Sequence, residues 1–412
     1  MTHDNTLSVG EVRMAPAFPV GYHRLHEDAG LNFQLNRFFG GMGEEVLREV
    51  RAAAPRIRDH RDWKRELLSL AEGALTGGRR LDAAYYFRAA EFYMMPDDPD
   101  KLPARERFVA LARSSYGVGA AETVPYDGGS LPAHRFVPEN PKGTVVLFGG
   151  FDSYAEELFP MAFFLVASGY QVVVFEGPGQ GGALEESRLP MTPEWERPVG
   201  AVLDHFGLDE VTLVGLSLGG GLAIRAAAFD RRVRRVVAWD ILLDFLECNL
   251  RQTNPIVRVA LRSLLAVHAA DTVNDLARRT ISKSLMLQWG LRHGMNVFGV
   301  ESPYEYLREL DRYNTARVSR HVECDVLLLA GADDHYVPLS QFYRQIRALT
   351  GAGSVTGRIF TRTEQAQNHC QVGNTGLALD VVVGWMDGLG RRDGSWAPAE
   401  PRPNGARARR QG

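Results

Sequence analysis

The spacing of apolar residues divides the chain into regimes of different period. Up to about residue 120 they recur at helical intervals, over 44–54, 63–74 and 81–95, and strand signals are nearly absent. Gly77-Gly78 and Pro96 separate these helices. The third carries small residues on one face and aromatics (Tyr85, Tyr86, Phe87, Phe92, Tyr93) on another, a pattern that suits helix packing or the wall of a substrate cavity. From 121 the period changes. Short β-branched and apolar runs at 122–126, 134–138, 144–148, 171–175, 210–214, 233–239 and 325–330 alternate with helical stretches. The first two flank Gly128-Gly129 and read as an antiparallel hairpin. The others are apolar throughout rather than alternating, as in parallel strands covered on both faces. Between 241 and 320 the rhythm breaks into helices alone, at 255–269, 273–293 and 303–314, too much chain for one crossover.

The pattern predicts an α/β fold, a mostly parallel twisted sheet flanked by helices. An N-terminal helical region (1–120) precedes a core in two parts (121–240 and 321–390), split by a helical cap insertion (241–320) over the carboxyl ends of the strands. The Pro-, Gly- and Arg-rich segment 391–412 is expected to be a disordered tail.

Composition narrows the function without naming it. With 412 residues, 45% hydrophobic and 24% charged, the chain is an ordinary globular sequence. A net charge of −3 gives no reason to expect nucleic acid or a membrane surface as partner. No apolar run has the length of a membrane span, and the first residues lack a signal peptide's pattern, so a cytoplasmic location is expected. Three unpatterned cysteines, Cys248, Cys324 and Cys370, suit a reducing compartment.

The chemistry is concentrated at Gly215-Leu216-Ser217-Leu218-Gly219, set between the strand-like run 210–214 and a helix start of minimal bulk. Flanking glycines let a strand turn sharply into a helix and project the serine oxygen above the sheet edge. Two partners are then required. The strand at 325–330 runs into Gly331-Ala332-Asp333-Asp334, where Asp334 has the placement of a triad acid and Asp333 is the fallback; His335, beside it, reads as a loop or pocket residue. His369 follows the last strand-like stretch at 358–360 and precedes the apolar helix at 377–386. The order serine, aspartate, histidine is that of an α/β-hydrolase triad. Oxyanion donors are expected at Leu218 N–H and Phe151 N–H, the latter in the Gly149-Gly150-Phe151-Asp152 loop. Cys370 as a thiol nucleophile lacks an evident base. Gly177 to Gly181 lacks the lysine of a phosphate loop. Asp240, closing the 233–239 run, points into the pocket or simply ends the strand. No cofactor and no metal are expected.

Three features give a closer resemblance: Gly149-Gly150-Phe151-Asp152-Ser153-Tyr154-Ala155-Glu156-Glu157, Phe175-Glu176-Gly177-Pro178-Gly179-Gln180-Gly181, and the long N-terminal helical region. Over about 20–390 the chain resembles the α/β-hydrolases that include 2,6-dihydroxypseudooxynicotine hydrolase, the fungal polyketide-shortening hydrolases of melanin-pigment pathways and the FrsA-like proteins. The resemblance implies cleavage of carbon–carbon bonds in β-dicarbonyl or acyl-aromatic compounds. It also implies a part for an oxyanion-loop carboxylate, a glutamate in the nicotine-pathway member and Asp152 here. On its residues alone, Asp152 is equally a turn aspartate capping the next helix.

The expectation is therefore a serine hydrolase acting on a small, apolar or aromatic, polyketide-like molecule, with Gly150 and Asp152 at the substrate. An esterase or thioesterase uses the same residues. So does a noncatalytic binding protein, or a cyclase or dehydratase that kept the pocket. A homodimer is the expected assembly, since helical additions of this kind commonly pair.

Overall fold

A computed structural model describes residues 17–281 and 285–394. Eight strands form one sheet: β1 (Glu122–Tyr126), β2 (Gly129–Phe136), β3 (Thr144–Phe148), β4 (Gln171–Phe175), β5 (Val211–Leu216), β6 (Val233–Trp239), β7 (Asp325–Gly331) and β8 (Ser354–Phe360). Their order is β1-β2-β4-β3-β5-β6-β7-β8. β2 pairs antiparallel with β1 and β4, and every other pairing is parallel. β4, β5 and β7 are buried at every position, which is why their sequences show no alternation. The opening hairpin turns on Asp127 and Gly128, both at positive φ (45° and 77°), the mirror-image turn that matches strand twist. β8 begins at Ser354, ahead of the expected 358–360, because this edge strand leaves Thr356 and Gly357 exposed and carries little apolar signal.

The sheet dictates where a site forms. From β3 the chain moves outward to β4, then returns to β5 on the other side of β3. Loops leaving β3 and β5 therefore diverge at the carboxyl edge and leave a crevice between them. Both the 149–152 loop and Ser217 start there.

Five helices precede the sheet: α1 (Ala29–Phe39), α2 (Glu44–Ala53), α3 (His60–Thr76), α4 (Arg80–Phe92) and α5 (Lys101–Tyr116). Sheet and crossovers carry α6 (Ala155–Ala167), α7 (Gly181–Glu185), α8 (Glu196–Phe206) and α9 (Leu218–Phe229). The cap comprises α10 (Phe245–Arg251), α11 (Pro255–Ala266), α12 (Ala270–Ile281), α13 (Leu285–Phe298) and α14 (Pro303–Arg312). α15 (Leu339–Ala348) and α16 (Thr375–Arg392) complete the core. The helix expected over 273–293 falls on α12 and α13, and 282–284 between them lie outside the described residues. The segment assigned to a tail begins inside α16, whose Arg392 pairs with Asp325; 395–412 lie outside the described residues. α1 and α5 carry no clean amphipathic signal. In α1, Asn32, Gln34 and Asn36 are buried alongside Leu31, Phe33 and Leu35, so no polar face exists to mark it.

The N-terminal helices have their own apolar core, but two outsiders complete it: Tyr154 from the start of α6 and Trp289 from cap helix α13. Among the described residues no helix is long and apolar enough to cross a membrane.

Candidate active site

Ser217 sits at the β5–α9 junction with φ 58° and ψ −122°, a strained conformation that only a tight elbow enforces. A methyl group added at Gly215 would lie 2.0 Å from the Gly219 carbonyl oxygen. One at Gly219 would lie 2.5 Å from the Gly149 carbonyl oxygen, so both positions exclude any side chain. Gly150 is pressed against the elbow in the same way, its added carbon 2.9 Å from Leu216 O and 3.1 Å from Leu218 N.

Three predicted residues are brought into a hydrogen-bonded line. His369 Nε2 lies 2.8 Å from Ser217 Oγ, and Nδ1 lies 2.6 Å from Asp334 Oδ2. An ionised Asp334 only accepts, so it selects the Nδ1–H tautomer and leaves Nε2 to accept from the serine hydroxyl. Asp334 Oδ1 in turn accepts from Tyr336 N (2.7 Å) and Val337 N (2.9 Å), which fixes the carboxylate. Burial opposes ionisation of both partners, but their mutual attraction prevails: Asp334 is held below the usual carboxylate range and His369 well above the usual imidazole range.

The alternatives separate clearly. Asp333 is exposed and pairs with Arg362. The His335 ring packs against Phe33 and Tyr336. Burial pushes the Cys370 thiol up, the opposite of an activated thiolate. Asp240 directly follows the last residue of β6, the second of its two readings, and does not point into the cavity, which corrects the first. At φ 57° and 1% exposed, it stands behind His369, 3.7 Å from Nδ1, and does not line the cavity. It accepts from Gly331 N (3.0 Å), Gln371 Nε2 (3.0 Å) and Cys370 N, tying the histidine loop to β7. Burial, then the charge of Asp334, pushes its carboxyl up to about 7. The donor atoms of Asp240, His369 and Cys370 lie within 4.8 Å of one another, but those of Asp240 and His369 Nδ1 are already committed to these bonds.

Phe151 N–H and Leu218 N–H find no acceptor among the described residues, and both border the elbow. The Phe151 ring packs edge-on against Phe245 and His293 of the cap. Asp152 does not cap α6; the Tyr154 N–H there donates to Glu157 instead. Asp152 Oδ1 accepts from Arg37 of α1 at 3.0 Å. Burial would raise its carboxyl, but Arg37, then Arg88 and His293, hold it below the usual range, hence ionised. Arg37 also reaches Glu157 (2.9 Å), and Glu157 joins Arg88, which bonds Glu91.

Sequence reasoning missed this buried charge cluster. Its trace in α4 is Arg88 and Glu91, three apart within the otherwise uncharged stretch Ala83–Phe92.

The Phe175–Gly181 motif is internal scaffolding, as a tight turn edging the site would be. Glu176 accepts from Ala155 N (2.8 Å) and Gly182 N (2.6 Å), at the starts of α6 and α7. Gln180 accepts from Gly177 N (2.9 Å) and donates to the carbonyls of Gly149 (2.8 Å) and Gly150 (2.7 Å).

Ser217 and His369 open into a cavity of about 320 Å³ roofed by α1 and the cap, with Phe33, Phe245 and Trp289 among its walls. Its lining is largely apolar, and Arg37 and Asp152 form a charged pole. Of the α4 aromatics, Tyr85 reaches it, whereas Tyr86 and Phe87 pack inside the N-terminal core.

Residues 144–369 match the family described as alpha/beta hydrolase fold. Hydrolase acrC of Aspergillus aculeatus is 33% identical over 310 residues, covering 66% of this chain and 71% of the relative. The 20-hydroxy-prefusarin hydrolase FUS2 of Gibberella moniliformis is 30% identical over 361 residues, covering 76% and 84%. The crystal structure of 2,6-dihydroxy-pseudo-oxynicotine hydrolase has a TM-score of 0.60 at 19% identity, covering 89% of this chain and 98% of that one, a likeness of fold. A sheet that switches direction beside a strained serine, and a family match spanning that serine and the last histidine, lead to one conclusion: the chain belongs to the α/β hydrolase fold family and is a hydrolase.

Proposed function

We propose that the protein is a serine hydrolase that cleaves a carbon–carbon bond in a β-diketone or acyl-aromatic, polyketide-like substrate. The observation that carries this is the Asp334–His369–Ser217 line, at 2.6 and 2.8 Å, opening into a roofed and largely apolar cavity. Ser217 Oγ attacks the carbonyl carbon while His369 Nε2 takes its proton. The developing oxyanion is received by Phe151 N–H and Leu218 N–H. The carbon–carbon bond then breaks, its electron pair delocalising into the neighbouring carbonyl as an enolate. Imidazolium at His369 protonates the enolate carbon, and water hydrolyses the acyl-enzyme with His369 again as base. Asp152, held ionised by Arg37, suits orienting a substrate hydroxyl or enol rather than supplying a proton. The resemblance to carbon–carbon hydrolases and the largely apolar lining under the roof support a carbanionic leaving group over a simple ester.

The test sets 1-phenyl-1,3-butanedione beside 4-nitrophenyl butyrate, with a fluorophosphonate probe reporting on the serine. Diketone cleavage is expected, with labelling abolished by Ser217→Ala. Fast ester turnover without diketone cleavage moves the assignment to an esterase. Equal labelling of Ser217→Ala ends serine catalysis.

A further inference from the structure

The loop that follows β3 belongs to no helix or strand, yet four consecutive carbonyls in it are held by side chains from three parts of the molecule. Gln180 Nε2 donates to Gly149 O (2.8 Å) and Gly150 O (2.7 Å). His293 Nε2, on cap helix α13, lies 3.3 Å from Phe151 O. Arg88 Nη2, on α4, donates to Asp152 O. Gln180 and Arg88 are buried, and His293 is half-buried. Gln180 is 2% exposed, and both ends of its amide are occupied, since Oε1 takes Gly177 N–H at 2.9 Å. Turning that amide over would face oxygen against two carbonyls and nitrogen against an N–H, so its orientation is fixed.

The direction of the carbonyls sets the direction of the amides. In a trans peptide the C=O and the following N–H point opposite ways, and the described chain has no cis bond. Drawing Gly150 O toward Gln180 turns Phe151 N–H away from it. The far side of the loop is the elbow: a carbon added at Gly150 would meet Ser217 Cβ and Leu218 N, each at 3.1 Å. A loop of this kind, with no ladder or helix to hold it, is otherwise free to rotate its peptide planes.

We infer that Gln180 is a positioning residue for the oxyanion hole, aiming Phe151 N–H at the oxygen of the substrate through its two bonds to Gly149 and Gly150. His293 steadies the next peptide from the roof, so completion of the hole depends on the cap being docked. This rests on the serine mechanism proposed above and deepens it, giving a task to the Phe-Glu-Gly-Pro-Gly-Gln-Gly motif.

Two variants of the full chain test it. Gln180→Met keeps the length and apolar stem but removes both donors. Its kcat on 4-nitrophenyl butyrate and its rate of fluorophosphonate labelling are expected to fall about 10²-fold, with KM within about threefold. Gln180→Glu donates only while its carboxyl is protonated. Its activity relative to the unaltered protein is therefore expected to rise as pH falls from about 8 to about 6. A structural residue alone would change kcat and labelling only in proportion to the folded fraction, read by circular dichroism at each pH, so the ratio is taken per folded molecule. The inference is overturned if both variants keep kcat and labelling within about threefold, or if Gln180→Glu shows a flat ratio with pH. Labelling absent from the unaltered protein removes the serine mechanism and this inference together. Labelling present there and equal in Gln180→Met removes this inference alone.

Discussion

At the scale of single residues, the site is governed by charge kept out of water. Asp334 accepts two backbone N–H bonds and one from His369, so its ionised form is favoured despite burial. The same contact raises the His369 imidazole above its ordinary 6.5. In the proposed mechanism Ser217 is activated only when that imidazole is neutral. The acid limb of kcat/KM is accordingly expected to have its midpoint above 6.5, measured on any turned-over ester. Asp334→Asn loses both the tautomer selection and the charge, so kcat is expected to fall about 10⁴-fold and the limb to move down. The linked stabilities have opposite signs. The lowered Asp334 stabilises the fold above its unfolded value and loses this in acid; the raised His369 stabilises below its unfolded value and loses this as pH rises. Ser217, Asp334 and His369 were legible because each follows a strand, in the order the fold requires. Arg37 was not, since a polar residue in a helix acquires meaning only from what the other elements bring against it.

At the scale of elements, glycines and one carboxylate do the joining. Gly150 and Gly219 let the loop after β3 lie on the serine elbow at distances no side chain permits. Glu176 supplies the acceptors at the starts of α6 and α7. Glu176→Ala leaves two buried N–H groups without an acceptor, and a loss of about 2–4 kcal/mol is expected in chemical denaturation. Burial and the neighbouring Glu156 raise this carboxyl to about 7. A raised acid costs stability as pH climbs from its unfolded value toward its folded one. Glu176→Gln is therefore expected to flatten the pH dependence of Tm between about 4.5 and 7. The central strands β3, β4, β5 and β7 were legible because they are almost uniformly apolar; α1 was not, being buried on its polar positions as well.

At the scale of the whole molecule, the N-terminal helices and the cap close the site jointly. Trp289 is the pin. Its ring stacks on Phe92 of α4 (4.5 Å) and on His293 (4.8 Å), and Nε1 donates to Phe92 O at 2.8 Å. Behind it, Arg37, Arg88, Glu91, Glu157 and Asp152 form an ionic cluster spanning α1, α4, α6 and the loop after β3. Such clusters contribute little net stability but penalise any misdocked arrangement that strands a charge. Trp289→Ala is expected to cost about 3–5 kcal/mol and to raise KM more than it lowers kcat, read from denaturation and steady-state kinetics.

The sequence by itself determined the alternation of strands and helices, the elbow serine and the order of its two partners. These follow from local rules: period, glycine at a turn, residue type after a strand. Tertiary structure decided the rest. It placed Asp240 behind the histidine, paired Asp152 with Arg37, made the most distinctive motif a scaffold for the loop after β3, and built the cavity from helices far apart in the chain. Each depends on which distant side chain arrives to satisfy a buried charge or carbonyl, and no local period encodes that.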